Sequence, residues 1–386
     1  MRLISIQKDA QIKSFAMLIN SLLKMEKIFL KFLPPPKLLR MSHAALNFSD
    51  HSVKILELFG YENEFSIKKF GAEIIPDGVI KSGNINNRDS LKEILKKVKE
   101  KYDLSLVGAT LPEEKAYVFK LRVPKSNSEK EIRNSIEFQM EDNVPISVNE
   151  ALFDYKIIPK SERVNSIDVG VSVLPQKVVA SYISLFKDVG MTPVFLEIEA
   201  ESIARAVIAK DDMDTYMIVD YGRTRTGFSV VSRGVIRYTS TAEIGGEPID
   251  KILEEKFHIK KEEVEKIKNE KGLVRDKDKP ELYMSLANVV SVLKDEINKR
   301  FIFWHTHKDI DGKIGDNIKK IILVGGNANL FGLKDYLQAG LKVRVEYADV
   351  WKNVKFRDDA VPVINFQNSL SYSSSVGVCL KKFNEK

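Results

Sequence analysis

Tyr216-Met-Ile-Val-Asp220-Tyr-Gly222-Arg-Thr-Arg-Thr226-Gly-Phe-Ser-Val-Val231 is the stretch whose reading decides the fold. The apolar run 217–219 reads as a buried strand ending at Asp220 and Gly222. Residues 228–231 read as a second strand, and Ser232-Arg-Gly234 turns it into a third at 235–239. Asp220 and Gly222 therefore fall in a turn between antiparallel strands. A P-loop or dinucleotide fingerprint would instead run strand, glycine loop, helix. A tight hairpin can hold phosphate in another way. Its backbone N–H groups point at the anion, while a carboxylate such as Asp220 holds the Mg2+ that neutralises it. Taken alone, Asp-x-Gly between strands is an ordinary turn.

Working outward, the same design occurs 173 residues earlier. A strand at 44–48 meets the polar turn 49–52 and returns as a strand at 53–58, with Asn47 where the later hairpin has Asp220. Two such units half a chain apart suggest two similar lobes facing each other across a cleft; coincidence between two hairpins is the alternative. Downstream, Gly245-Gly246 precede a helix at 249–257, 258–274 reads as a charged helix, and 280–304 as a longer one. Ile321-Ile-Leu-Val-Gly325-Gly326-Asn327 reads as a strand ending in a glycine loop, followed by a helix from about Phe331. Between the hairpins, 104–190 alternates strands and helices as a small α+β module. Capping-box patterns at Ser90 and Ser128 open two helices, the second carrying Ile132, Ile136 and Met140.

A chain of 386 residues has ample core for two lobes, and 44% hydrophobic with 30% charged residues are globular values. The formal charge of +7 comes from interleaved acidic and basic residues, so it reads as a solvated surface rather than a nucleic-acid face. One cysteine, Cys379, excludes an intramolecular disulfide and a Cys-based zinc site, and fits a reducing cytoplasm. No apolar run reaches the length of a membrane span. Residues 14–33 form a basic amphipathic helix candidate, interrupted by Lys24, Glu26, Lys27 and Lys31. It would rest on a membrane or a partner, or would be an extension upstream of a start at Met25 or Met41. Pro34-Pro-Pro36 reads as a stiff lead-in to the first lobe.

With these pieces in order, the sequence resembles the actin-like ATPase superfamily and, within it, the PilM family of type IV pilus assembly proteins, related to FtsA. Residues 47–54 and 220–226 match the family's phosphate-binding hairpins, Gly245-Gly246 its glycine pair, and 324–328 its adenosine loop. The middle block carries the PilM likeness through Leu111-Pro112, Val123-Pro124, the 131–146 helix segment and Asp154-Tyr155. FtsA is expected to carry a C-terminal linker and membrane helix, and this chain stops just after 377–382. The resemblance implies an α/β, actin-like (ribonuclease H-like, duplicated) two-lobed fold with an inserted α+β subdomain. The segments would be an extension at 1–33, a first lobe from 34–103, 191–212 and 360–386, a docking subdomain at 104–190, and a second lobe at 213–359.

The resemblance also implies ATP and Mg2+ in the cleft. Asp220 would hold the metal and be the catalytic carboxylate. Asn47, Ser49, Lys54, Gly222, Thr226, Gly245 and Gly246 would surround the phosphates. Glu265 and Lys268 would flank the adenosine above a floor of Gly325, Gly326 and Asn327. Glu199 or Glu201 lies where the family holds its water-activating residue, with the register open. The implied partner is a PilN-like bitopic membrane protein, whose N-terminal peptide would dock in a groove beside 104–190. Association with the cytoplasmic membrane would then come through partners. Where the family's first hairpin reads Asp-x-Gly, this chain has Asn47-Phe-Ser49, which removes a charge near Mg2+ and crowds the backbone approach to phosphate. Nucleotide binding is expected to survive and hydrolysis to be at most slow. The rival readings are a phosphotransferase of the sugar-kinase branch and a scaffold that never binds nucleotide.

Overall fold

Two strand meanders seed two sheets. The computed structural model describes residues 43–381 except 62–63, 127, 162, 276–279, 310–311 and 357–361. The expected helix at 14–33 and the proline lead-in lie outside the described residues. In the first sheet β1 (Ala44–Phe48), β2 (Ser52–Tyr61) and β3 (Glu64–Ile74) run antiparallel. A small hairpin, β4 (Ile80–Lys81) and β5 (Asn84–Ile85), and helix α1 (Arg88–Tyr102) lead to β6 (Leu106–Leu111), parallel to β1. β1 is buried along its whole length, as a central strand covered on both faces must be, whereas β3 alternates exposed and half-buried residues. Helix α1 buries Leu91, Leu95 and Val98. Its N-cap is Asn87, whose Oδ1 accepts the Ser90 N–H at 3.0 Å. The capping signal read at Ser90 thus belongs three residues earlier.

A separate three-stranded sheet follows: β7 (Tyr117–Pro124), helix α2 (Glu129–Met140), β8 (Ala151–Ile157) and β9 (Ser166–Pro175), in the order β7-β9-β8. It has its own core, in which Leu121, Val169 and Val171 meet Ile132, Ile136 and Met140 of α2. The four-residue spacing read from the sequence is the stripe that α2 turns inward. This module is narrower than the expected 104–190. β6 belongs to the first sheet, and α3 (Gln176–Asp188) buries Tyr182, Leu185 and Phe186 in the main core. The module also leans on the second lobe. Lys120 reaches Asp168 at 2.9 Å on its own sheet and Asp309 at 3.0 Å beyond it, and Gly170 lets β9 lie close against Val235.

The chain returns through β10 (Thr192–Ile198), parallel to β6, and α4 (Glu199–Val207). The second sheet repeats the plan of the first. β11 (Thr215–Tyr221), β12 (Thr226–Ser232) and β13 (Val235–Ala242) form an antiparallel meander. After α5 (Glu247–Lys251), α6 (Lys261–Glu270) and the long α7 (Pro280–Thr306) come β14 (Ile318–Val324), α8 (Leu333–Leu341) and β15 (Val345–Tyr347). β14 pairs parallel to β11, and β15 parallel to β14. β16 (Lys355–Phe356) pairs with β3 of the first sheet, although 213–359 was expected to lie in the second lobe. After α9 (Phe366–Ser369), α10 (Ser373–Leu380) packs on α4, where a Cβ on Gly377 would collide with the Ser202 carbonyl. That close crossing explains the small residues of the tail.

Candidate functional site

The two meanders aim their first turns at each other. In β1–β2, Asn47 pairs with Lys54 and the Ser49 N–H donates to the Ser52 carbonyl at 2.9 Å. In β11–β12, Asp220 pairs with Gly227 and the Gly222 N–H donates to the Arg225 carbonyl at 3.0 Å. Every equivalent pair is 173 residues apart, so the turns share one backbone design. Between them lies a cavity of about 170 Å³. Of the residues expected from the sequence, Asn47, Ser49, Lys54, Asp220, Gly222, Gly325, Gly326 and Asn327 line it together.

The others stand behind it or away from it. The Thr226 hydroxyl, fully buried, donates to the Ile244 carbonyl at 2.7 Å, so it pins the hairpin rather than facing the cavity. Gly246 N–H donates to the Gly222 carbonyl at 3.1 Å. A Cβ on Gly245 would run into the Arg223 backbone, and one on Gly246 into Asn327. The glycine pair is therefore needed for the close approach of its own segment to the second turn and to the Asn327 loop. Lys268 is buried, with its ammonium donating to Asp250 and to the Asn327 Oδ1, both at 2.7 Å. Asn327 Nδ2 in turn donates to the Gly222 carbonyl at 3.0 Å. Lys268 thus braces the glycine loop against the hairpin. Glu265 is exposed on α6 and does not line the cavity, because it points outward beside the buried Val264.

Asn47, standing where the resemblance would place a carboxylate, is held by its own hydrogen bonds. Its side chain donates to Ser374 and accepts from Thr110 at 2.7 Å. A carboxylate there would lose the donor and add charge to an already acidic cavity, which holds Asp220, Glu113 and Glu199. Burial, and then the Asp220 carboxylate, push Glu199 up to about 7, against Arg225, Asn47 and Lys54. Burial likewise raises Asp220, with Lys54 and Arg225 opposing. Burial, followed by Glu199, raises Glu113 well above the usual range, although its Oε2 accepts the Ala200 N–H at 2.7 Å. Desolvation lowers Lys54, with Asp220 and Glu199 working the other way. Of the two glutamates left open in the sequence, Glu199 lines the cavity, while Glu201 pairs with Lys156 of the small module.

Ser49 does more than crowd its turn. Its hydroxyl accepts the Ser52 N–H at 3.0 Å and the His51 N–H at 3.4 Å. Donors that a phosphate would use are therefore occupied by the turn's own side chain. In the second turn Gly222 has no side chain to do this, and an added Cβ would sit 2.8 Å from the Arg225 carbonyl. The fit to Mg2+ is partial but chemically sound. Among the described residues no group of three or more His, Cys, Asp or Glu side chains could hold a metal ion. Mg2+ characteristically takes only one or two carboxylates, with phosphates and waters completing its shell, and Asp220 with Glu199 nearby supplies that much.

Sequence reasoning missed Glu113, Glu114, Arg223 and Arg225. The two glutamates directly follow Leu111-Pro112 at the carboxyl end of β6, where ligand groups of α/β sheets collect. The arginines lie between Gly222 and Thr226, where the turn pattern alone assigns them no role.

The family model for type IV pilus assembly protein PilM matches residues 45–383. Among solved structures, a PilM–PilN type IV pilus biogenesis complex is similar at a TM-score of 0.70 and 19% identity, covering 88% of this chain and 98% of that one. The ethanolamine utilization protein EutJ from Carboxydothermus hydrogenoformans is similar at a TM-score of 0.51 and 15% identity, covering 90% of each chain. The fold is actin-like, with one antiparallel meander in each of its two large sheets. With the family model spanning nearly all of both lobes and the module between them, this chain belongs to the type IV pilus assembly protein PilM family.

Proposed function

We propose that this chain binds ATP with Mg2+ in its interlobe cleft and uses that binding to set how it docks a membrane partner during pilus assembly. The observation that carries this reading is the convergence of both β-turns, the Gly325–Gly326 floor, Asp220 and Lys54 on one cavity. Bound Mg2+ would neutralise phosphate charge beside Asp220. The chain's own part is to present the Gly222 turn to phosphate, to bring Lys54 alongside, and to leave the backbone of Gly326 open for a flat base. Glu199 sits where it can hold a proton near neutral pH, the property wanted in a general base. The self-bonded first turn supports slow hydrolysis rather than rapid turnover.

The cavity is small for this ligand. Pockets for molecules of this size run to about 300–1,000 Å³, so we infer that the lobes part to admit a nucleotide. Parting would move the small module, because Lys120 ties it to Asp309. A groove between the first lobe and that module is the place we assign to the N-terminal cytoplasmic peptide of a PilN-like bitopic protein. The similar PilM–PilN complex supports the choice of partner. Among the described residues no helix is long and apolar enough to cross a membrane. Attachment at the inner face of the cytoplasmic membrane would come through the partner.

Equilibrium titration with a fluorescent ATP analogue, with and without Mg2+, tests the reading. Saturable, Mg2+-enhanced binding is expected, and Asp220→Ala should remove the Mg2+-dependent gain, about tenfold or more. Absence of saturable binding at millimolar ligand would leave the nucleotide-free scaffold as the better account. Turnover of a hydroxylated acceptor would point to a phosphotransferase instead.

A further inference from the structure

The second turn carries a charge that the nucleotide reading does not use. Arg225 lines the cavity, yet its guanidinium reaches across to the first lobe. It donates to Asp50 Oδ1 in the first turn at 3.0 Å and pairs with Glu114 at the head of the small module. All three side chains are largely buried, at 15%, 17% and 11% exposure, so this is no surface ion pair. Arg223 adds a second bridge, donating to His51 Nε2 at 3.1 Å, and Ser82 donates to Glu243 at 3.3 Å. The cleft is thus closed by a clasp that joins the first turn, the second turn and the module.

We propose that Arg225 is a polyphosphate ligand held by carboxylates that stand in for phosphate: an entering di- or triphosphate takes the guanidinium from Asp50 and Glu114 and opens the clasp as it binds. A guanidinium fork matches carboxylate and phosphate with the same planar geometry, so either group satisfies it. The swap is required by desolvation, since a buried guanidinium stripped of its carboxylates needs another anion. Its charge is strongly held where it is. Burial works against it, and the carboxylates of Glu114, Glu199, Asp50 and Asp220 outweigh burial. The first turn cannot compete for the incoming phosphate, because Ser49 occupies the amides of His51 and Ser52. The arrangement makes phosphate affinity and cleft opening one event, and it couples both to the module through Glu114. The inference rests on the cleft being a nucleotide site.

Calorimetric titration of the full chain with Mg·ATP and with inorganic tripolyphosphate tests it. Arg225→Ala should weaken both ligands by about ten- to a hundredfold, the worth of one charged hydrogen-bonded pair. Asp50→Asn, which leaves Glu114 to compensate the guanidinium, should tighten both by roughly threefold or more, a surface-to-buried ion-pair increment. In the double variant the gain from Asp50→Asn should vanish, because it acts through Arg225. A clasp that merely shuts the cleft predicts tighter binding from Arg225→Ala and overturns the proposal. So does a gain from Asp50→Asn that persists without Arg225, which would be general charge removal. Should Arg225→Ala not fold, Arg225→Lys keeps the charge without the fork and should still lose most of the affinity. Wild-type chain that binds neither ligand would sink the nucleotide reading itself, whereas wild-type binding with the wrong signs sinks only the swap.

Discussion

The turn at 47–54 and the turn at 220–227 share a backbone and differ in almost every side chain that faces the cleft. The first is closed upon itself: Ser49 bonds its amides, and Asn47 is held by Thr110 and Ser374. The second has no side chain bonding its own amides: Gly222 carries none, its carbonyl is held instead by the Gly246 N–H and Asn327, and Asp220 lies close to Lys54 and Glu199. The difference teaches that a duplicated scaffold can keep its geometry while its two copies present different side chains to the cleft. Backbone hydrogen bonds fix the geometry, and they do not depend on which side chains the turn carries.

Three substitutions break or sharpen that contrast. The largest effect is expected from Gly245→Ala, whose Cβ would strike the Arg223 backbone and push the second turn out of place. A loss of about 3 kcal/mol in urea unfolding is expected, with ligand binding lost too. A fully stable variant would mean that the second turn is not pinned by this contact. Next is Ser49→Gly, which makes the first turn resemble the second. Stability should fall by about 1 kcal/mol for the lost hydroxyl bonds, while Mg·ATP affinity should rise because the His51 and Ser52 amides become available. Unchanged affinity would show that the first turn contributes nothing even when open.

The smallest effect concerns Glu199. Its carboxyl is raised in the folded chain from an ordinary 4.5 to about 7, so between those values the native state binds more protons than the unfolded one. Stability should therefore fall as pH rises through that window, and Glu199→Gln should flatten the slope. Melting curves from pH 4.5 to 8 decide this; an identical slope in the variant would place the titration on Glu113 or Asp220 instead.

The placement of Asp220 near Gly326 was open to refutation from sequence alone, and the two do line one cavity. What carried that far is local: an apolar run, a turn residue and a second apolar run give a hairpin, and the hairpin recurs. The glycine loop after β14 was legible for the same reason. Segment limits were less so. β6 reads as part of the middle block by position, yet it pairs with β1, because strand partners are chosen by long-range burial rather than by neighbours in the chain.

The sequence by itself determined two similar lobes, the apolar stripes that bury against them, and the family, since periodicity and turn chemistry are written residue by residue. Only the tertiary structure decided which side chains share the cleft. Glu265 and Lys268 sit three apart on one helix, yet one faces solvent and the other braces Asn327. Arg225, Asp50 and Glu114 come from three distant segments. Their meeting depends on how the sheets face each other, and once meeting is forced, burial obliges their charges to pair.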